Sequence, residues 1–155
     1  MKIAVLATGS NGNACYVETN KHKFLIDCGI SFKSLVGRME QFGLNVSSID
    51  SLLITHEHYD HISGLKVLAK KIPLTIYTSQ GTYDGLNLET KSVLASQNVS
   101  IVKAEEVIEL EDCKIRFDGI NIKKIKKDDL LIVKALGRSH IVESPEVNKV
   151  SPKKK

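Results

Sequence analysis

Apolar and polar positions along the chain fall into short blocks that alternate between a period of two and a helical period. Ile3–Ala7 reads as a short strand, closed by the polar stretch Thr8-Gly9-Ser10-Asn11-Gly12-Asn13. Ala14–Thr19 resumes as a strand, Asn20-Lys21 turns the chain, and His22–Asp27 is the next strand. Gly29 ends it. Ser31 is placed to cap a helix over about Phe32–Phe42, with Leu35, Val36 and Met39 on one face and Gly43 at its C-terminal end. Ser51–Thr55 reads as a buried strand. His61–Lys71 has helical spacing, with Leu65, Leu68 and Ala69 inward and Pro73 beyond its end. Leu74–Thr78 follows as a strand and Thr82–Ser96 as partly helical. Val99–Val102, Val107–Leu110 and Lys114–Phe117 read as shorter strands.

Hairpins followed by intermingled strands and helices predict an α/β fold, a mixed sheet with helices on one face. Past Phe117 the pattern weakens. Asn121–Lys127 alternates Ile with Lys, as an edge strand does, and Leu130–Leu136 is apolar enough to pack. From Gly137 periodicity is lost, and disorder is expected. Two parts result: residues 1–117, and a Lys-rich segment, residues 118–155, expected to be partly disordered.

At 155 residues the chain has the length of one domain with a real core. Trp is absent, so that core must rest on Ile, Leu and Val. The net charge of +4 is unevenly placed. Residues 118–155 hold ten Lys and Arg against five Asp and Glu, whereas residues 1–117 hold twelve against thirteen. A basic tail can contact nucleic acid or anionic lipid, but the closing Ser151-Pro152-Lys153-Lys154-Lys155 has no interleaved aromatics and reads better as a solvated end. Three cysteines, Cys15, Cys28 and Cys113, form no CxxC pair and read as small buried residues in a reducing compartment. No apolar run reaches membrane-spanning length, and the chain reads as cytoplasmic with no membrane partner.

The chemistry concentrates in Thr55-His56-Glu57-His58-Tyr59-Asp60-His61. Imidazoles and a carboxylate are the ligands that suit zinc and similar divalent ions. His56 and His58 are two apart and point the same way from an extended segment. Asp60 and His61 follow where the chain turns toward a helix. Two ligands for one ion and two for its neighbour is a natural division, and such a pair of ions can share a hydroxide and clamp the oxygens of an ester.

The run His56-Glu57-His58-Tyr59-Asp60-His61 resembles the HxHxDH signature of the metallo-β-lactamase superfamily. Leu25-Ile26-Asp27-Cys28-Gly29 resembles that superfamily's first motif, an Asp closing a strand. Gly9–Asn13 and Leu53–His58 together resemble its bacterial YycJ-like branch, related to RNase Z and RNase J. The resemblance runs from about Met1 to Phe117. It implies an αββα sandwich, of which this chain would hold the N-terminal half plus a divergent tail. It implies that His56 and His58 bind a first ion, that Asp60 and His61 bind a second, and that Asp60 handles a proton of the attacking water. Zn2+ is the expected metal, with Mn2+ an alternative and up to two ions in all. Asp27 would hydrogen-bond a ligand histidine and orient it; taken alone, it reads better as a strand-ending turn former before Gly29. Ser10, Asn11, Gly12 and Asn13 could present N–H groups to a phosphate, or form an ordinary turn. Thr55 and Tyr59 could touch substrate, with Thr55 equally just the last strand residue, and Glu57 is expected to point away. His22 is expected to be solvated and without a role.

The activity so implied is metal-dependent hydrolysis, a phosphodiesterase or nuclease with nucleic acid as substrate, acting through a metal-bound hydroxide. Thioester or other ester hydrolysis is the alternative within the same superfamily. The resemblance also implies later ligands: a His for the first ion, an Asp bridging both and a final His. His140 is the one histidine left, in a context unlike those motifs, and Asp118, Asp128 and Asp129 qualify by residue type alone. A truncated or frame-shifted chain is favoured over a divergent minimal one, with an inactive fragment bearing an incomplete metal site as the competing reading. Half a sandwich would leave one apolar sheet face uncovered, which predicts marginal stability, aggregation or a homodimer through that face.

Overall fold

The structure, a computed structural model, describes residues 1–118, 130–134 and 148–149. Ten strands and five helices are found among them. The strands are β1 (Lys2–Ala7), β2 (Ala14–Glu18), β3 (Lys23–Ile26), β4 (Ser51–Ile54), β5 (Thr75–Thr78), β6 (Asn98–Ile101), β7 (Val107–Glu109), β8 (Lys114–Asp118), β9 (Leu130–Lys134) and β10 (Asn148–Lys149). The helices are α1 (Phe32–Gln41), α2 (Tyr59–Ile62), α3 (Leu65–Lys71), α4 (Gln80–Gly85) and α5 (Leu88–Leu94).

Seven strands form one mixed sheet in the order β10-β1-β2-β3-β4-β5-β6. β1, β2 and β3 are antiparallel neighbours, and β3 through β6 run parallel. The alternation of each strand assigns its two faces. Leu25, Leu52 and Ile76, all fully buried, meet Leu35 and Met39 of α1, Leu65 and Leu68 of α3 and Leu94 of α5. The opposite face carries Val17, Phe24, Ile26, Leu53 and Tyr77. These pack against Cys113, Ile115 and Phe117, on and just before β8, in the smaller sheet β7-β8-β9. The layers are thus helices, sheet and second sheet.

That second sheet corrects one expectation. The face predicted to lie open is buried, because β7 and β8 fold back over it, and a dimer through it loses its physical basis. Val5, 59 % exposed, is the exception on that face.

Several local features follow from capping and turn chemistry. Ser31 caps α1, its hydroxyl accepting from the N–H of Ser34 at 3.2 Å, and Gly43 leaves the helix with φ 71°. Replacing Ser31 by Ala is expected to lower stability by about 1 kcal/mol, read as a shift of the urea midpoint. Thr19 N–H donates to His22 O across the β2–β3 turn. The helix expected over His61–Lys71 is instead two helices. It starts earlier, at Tyr59, and breaks at Ser63-Gly64. There Gly64 N–H leaves the helical ladder and donates to Cys28 O at 2.8 Å. A Cβ on Gly64 would lie 2.0 Å from Ile30 O, so the break is set by close backbone approach of the segment after β3.

Burial pushes the Cys15 and Cys28 thiols up to about 12, with the charge of Asp27 adding to it, and pushes Cys113 up to about 11. None of the three is in a disulfide. A thiol whose folded pKa lies above its unfolded value stabilises the fold below that unfolded value, and the stabilisation is lost as pH rises past it. The native chain is therefore expected to resist a thiol-modifying reagent near pH 8. Its urea midpoint is expected to fall between about pH 8 and pH 10.

Asp118 closes β8. The expected edge strand over 121–127, the candidates Asp128, Asp129 and His140, and most of the Lys-rich segment lie outside the described residues. Leu130–Lys134 of the apolar stretch pairs in parallel with β8, and Asn148–Lys149 pairs with β1. Among the described residues no helix is long and apolar enough to cross a membrane.

Candidate metal centre

The histidine-rich run leaves the C-terminal end of β4, where the parallel strands of an open α/β sheet present their loops. Thr55 to His58 lies outside any helix or strand, and α2 begins at Tyr59 with His58, extended at φ −65° and ψ 146°, as its N-cap. The ring centroids of His56 and His58 stand 4.6 Å apart, and those of His56 and His61 stand 3.8 Å apart. His61 is buried, His56 is half-buried and His58 is exposed. Three imidazoles thus share one small volume at the end of the sheet.

Asp27 organises it from beneath. It follows β3 with a left-handed backbone, φ 57°, and is fully buried. Its Oδ1 accepts from the Thr55 backbone N–H at 2.8 Å, and its Oδ2 accepts from the Thr55 hydroxyl at 2.8 Å. His61 Nδ1 lies 2.7 Å from the same Oδ2. A carboxylate only accepts, so Nδ1 is the donor and carries the proton. The lone pair of neutral His61 is then on Nε2, the atom that points at Asp60. Burial opposes a charge on His61, but the hydrogen bond and charge of Asp27, with Asp60 behind them, outweigh it and hold its pKa above the ordinary histidine value. His56 moves the other way, lowered by burial and then by the His61 charge.

Asn13 reaches the same point from the loop after β1. Its amide pairs with both backbone groups of Gly9: Oδ1 accepts from Gly9 N–H at 3.1 Å, and Nδ2 donates to Gly9 O at 3.0 Å. That pairing fixes which way the amide faces. Nδ2 lies 3.1 Å from Asp60 Oδ2 and 3.2 Å from His61 Nε2. The Asn13 backbone N–H donates to Asp60 O at 2.7 Å, and Gly29 N–H donates to Asn13 O at 2.8 Å. Of the loop expected from sequence to cradle a phosphate, Gly9, Gly12 and Asn13 spend their N–H groups inside the protein, and Ser10 and Asn11 are exposed, as is Gly9. Nothing in the sequence pattern marks Asn13 as a partner of Asp60. Its only signal is that of a short polar residue closing a Gly-rich turn.

Asp60 Oδ2 stands 3.4 Å from His61 Nε2. Two donors each about 2.0–2.2 Å from one tetrahedral ion are about 3.4 Å apart, so this pair has the spacing of one edge of a zinc shell. The residues fit a divalent ion in donor chemistry and at that edge. Among the described residues no set of three or more His, Cys, Asp and Glu side chains gathers into a closed site. The described residues thus offer that one edge and no closed ligand set. Tyr59, 82 % exposed, stands at the rim, and Glu57 packs over Gly85 of α4. His22 sits apart at the β2–β3 turn, 3.9 Å from Asp112.

Comparison with known proteins places the chain. Residues 7–141 match the family described as the metallo-beta-lactamase superfamily, a stretch that continues past Phe117. Exodeoxyribonuclease YycJ of Bacillus anthracis is 36% identical over 123 residues, covering 77% of this chain and 47% of that protein. Exodeoxyribonuclease WalJ of Streptococcus pneumoniae is 40% identical over 85 residues, covering 55% of this chain and 32% of the relative. The chain thus spans less than half the length of these curated relatives. Among solved structures, a beta-lactamase from Chitinophaga pinensis superposes with a TM-score of 0.56 at 18% identity, covering 71% of this chain and 46% of that one, which speaks to the fold. With the sheet-end histidine cluster in place and a family match over most of its length, the chain belongs to the metallo-beta-lactamase superfamily.

Proposed function

We propose that this chain carries the first part of a two-ion hydrolase centre acting on phosphodiester bonds of nucleic acid. The observation that carries the reading is the aimed pair, His61 Nε2 and Asp60 Oδ2, 3.4 Å apart and held by Asp27 and Asn13. His56 and His58 would hold one ion, and Asp60 and His61 the other, with Zn2+ the best match to imidazole and carboxylate donors and Mn2+ the alternative. Bound there, the ions would polarise a phosphoryl oxygen and lower the pKa of water. The chain's own residues do the rest. Asp27 fixes the His61 tautomer, Asn13 orients the Asp60 carboxylate, and Asp60, half-exposed at the rim, is placed to take a proton from water entering the site. Ser10 and Asn11 are the positions of the first loop open to a phosphate oxygen.

Nucleic acid as substrate is supported by the two relatives named exodeoxyribonucleases. A cytoplasmic setting suits three buried, unpaired thiols. A second reading, a half-site that binds an ion without turnover, rests on the lack of a closed ligand set among the described residues. The two are separated by loading the purified chain with zinc or manganese and assaying a chromogenic phosphodiester and linear DNA. Turnover that disappears in His58→Ala supports the hydrolase. Bound metal with no turnover above that control supports the half-site.

A further inference from the structure

Thr55 directly follows β4, and its hydroxyl is buried at the meeting point of three side chains. It donates to Asp27 Oδ2 at 2.8 Å. Thr55 Oγ1 also lies 3.0 Å from His56 Nδ1 and 3.4 Å from His61 Nδ1. A hydroxyl has one proton and two acceptor lone pairs. The Asp27 carboxylate has no proton to give, so the Thr55 proton goes to it. What remains on Thr55 Oγ1 toward His56 is a lone pair, and a lone pair there can only be met by a proton on His56 Nδ1.

From this we infer that Thr55 is a positioning residue: its hydroxyl relays the Asp27 carboxylate to His56 and fixes His56 as the Nδ1–H tautomer. One buried carboxylate then sets two imidazoles. It acts on His61 directly and on His56 through Thr55, so that both carry the free lone pair on Nε2. The backbone N–H of Thr55, bonded to Asp27 Oδ1, keeps the relay in register. Neighbouring imidazoles that must act together gain from this arrangement. A free histidine side chain favours the Nε2–H tautomer, which would turn a proton toward an incoming ion. The value of the relay to metal binding rests on the proposed two-ion centre. The tautomer itself is a property of the metal-free chain and is tested without metal.

The test is nitrogen-15 NMR of the histidine side chains in metal-free protein at a pH where all are neutral. His56 signals are assigned by their loss in His56→Gln. The expected result is Nδ1–H on His56 in the wild type and in Thr55→Ser, which keeps the hydroxyl. In Thr55→Val the population is expected to move toward Nε2–H. Zinc titration of the same three proteins is expected to show about a tenfold weaker affinity in Thr55→Val and near wild-type affinity in Thr55→Ser. Nε2–H on His56 in the wild type overturns the inference, and that reading stands even if Thr55→Val fails to fold. Unchanged tautomer in a folded Thr55→Val overturns it as well. If zinc does not bind the wild type but the tautomers behave as stated, the relay holds and the two-ion reading falls.

Discussion

Gly29→Ala is expected to cost this chain about 3 kcal/mol or more, a large fraction of the stability of an ordinary domain. A Cβ built on Gly29 would lie 1.6 Å from Asp60 O and 2.6 Å from Asn13 N. Both are backbone atoms of the segments that build the site, so no flexible side-chain end can give way. Gly29 also donates to Asn13 O, and Asn13 to Asp60 O, so moving any of the three strips hydrogen bonds from the others. The contrast is Gly37 in α1, where an added methyl group would meet nothing within 4 Å. There Gly→Ala is expected to stabilise by about 0.5–1 kcal/mol, because Ala favours the helix and restricts the unfolded chain. Urea denaturation of the two variants checks the pair. A Gly29→Ala chain as stable as the wild type would mean that the three segments are not packed as described.

Asp27→Asn is expected to spare most of the fold and to disable the centre. Asn tolerates the left-handed backbone that Asp27 adopts, φ 57°, and its Oδ1 can still accept from the Thr55 N–H. The change falls on the other atom. An amide nitrogen donates, so His61 Nδ1 must now accept, and the ring proton moves to Nε2. The lone pair that faced Asp60 is gone. Zinc affinity is expected to fall by about 10- to 100-fold, measured by titration against a chelator of known affinity. Stability is expected to fall by about 1–3 kcal/mol, the worth of a hydrogen bond to a buried charge. The pH dependence gives an independent reading. In the metal-free wild type the raised His61 pKa stabilises the fold fully below the unfolded value of about 6.5, and that contribution is lost as pH rises through the higher folded value. Asp27→Asn removes the charge that raises it. In the variant burial is opposed by Asp60 alone, so the fall of the urea midpoint with rising pH that this residue causes between about pH 5 and pH 8 should disappear or reverse.

How much of this was legible in the sequence depends on what each feature leaves in the pattern. Strands such as Ala14–Glu18 and Ser51–Ile54 announce themselves by apolar runs and bounding turns, and α1 by its Ser31 cap and the spacing of Leu35 and Met39. The HxHxDH run was legible because its residue types are the ligand types. Close backbone approach has no such signature. Gly29 and Gly64 looked like a strand stop and a helix interior, and their roles emerge only when Asp60 O and Ile30 O arrive from elsewhere in the chain. For the same reason α2 and α3 read as one helix. Thr55 and Asn13 are the sharper cases. A strand-end threonine and a turn asparagine are ordinary in isolation, and what sets them apart is that one meets Asp27, His56 and His61 together and the other meets Asp60 and His61. The second sheet was half legible: β7 and β8 were readable as strands, but their return over Phe24 and Leu53 was not, so the sheet face looked bare.

Zinc binding by the metal-free chain, followed by titration in the wild type and in a variant carrying both His58→Ala and Asp60→Ala, tests the central claim most directly. Both positions are at least partly exposed, so the double variant should fold. The proposed centre requires that the wild type binds zinc and that the double variant does not. A wild type that takes up no zinc, or a double variant that binds it as well as the wild type, would contradict it.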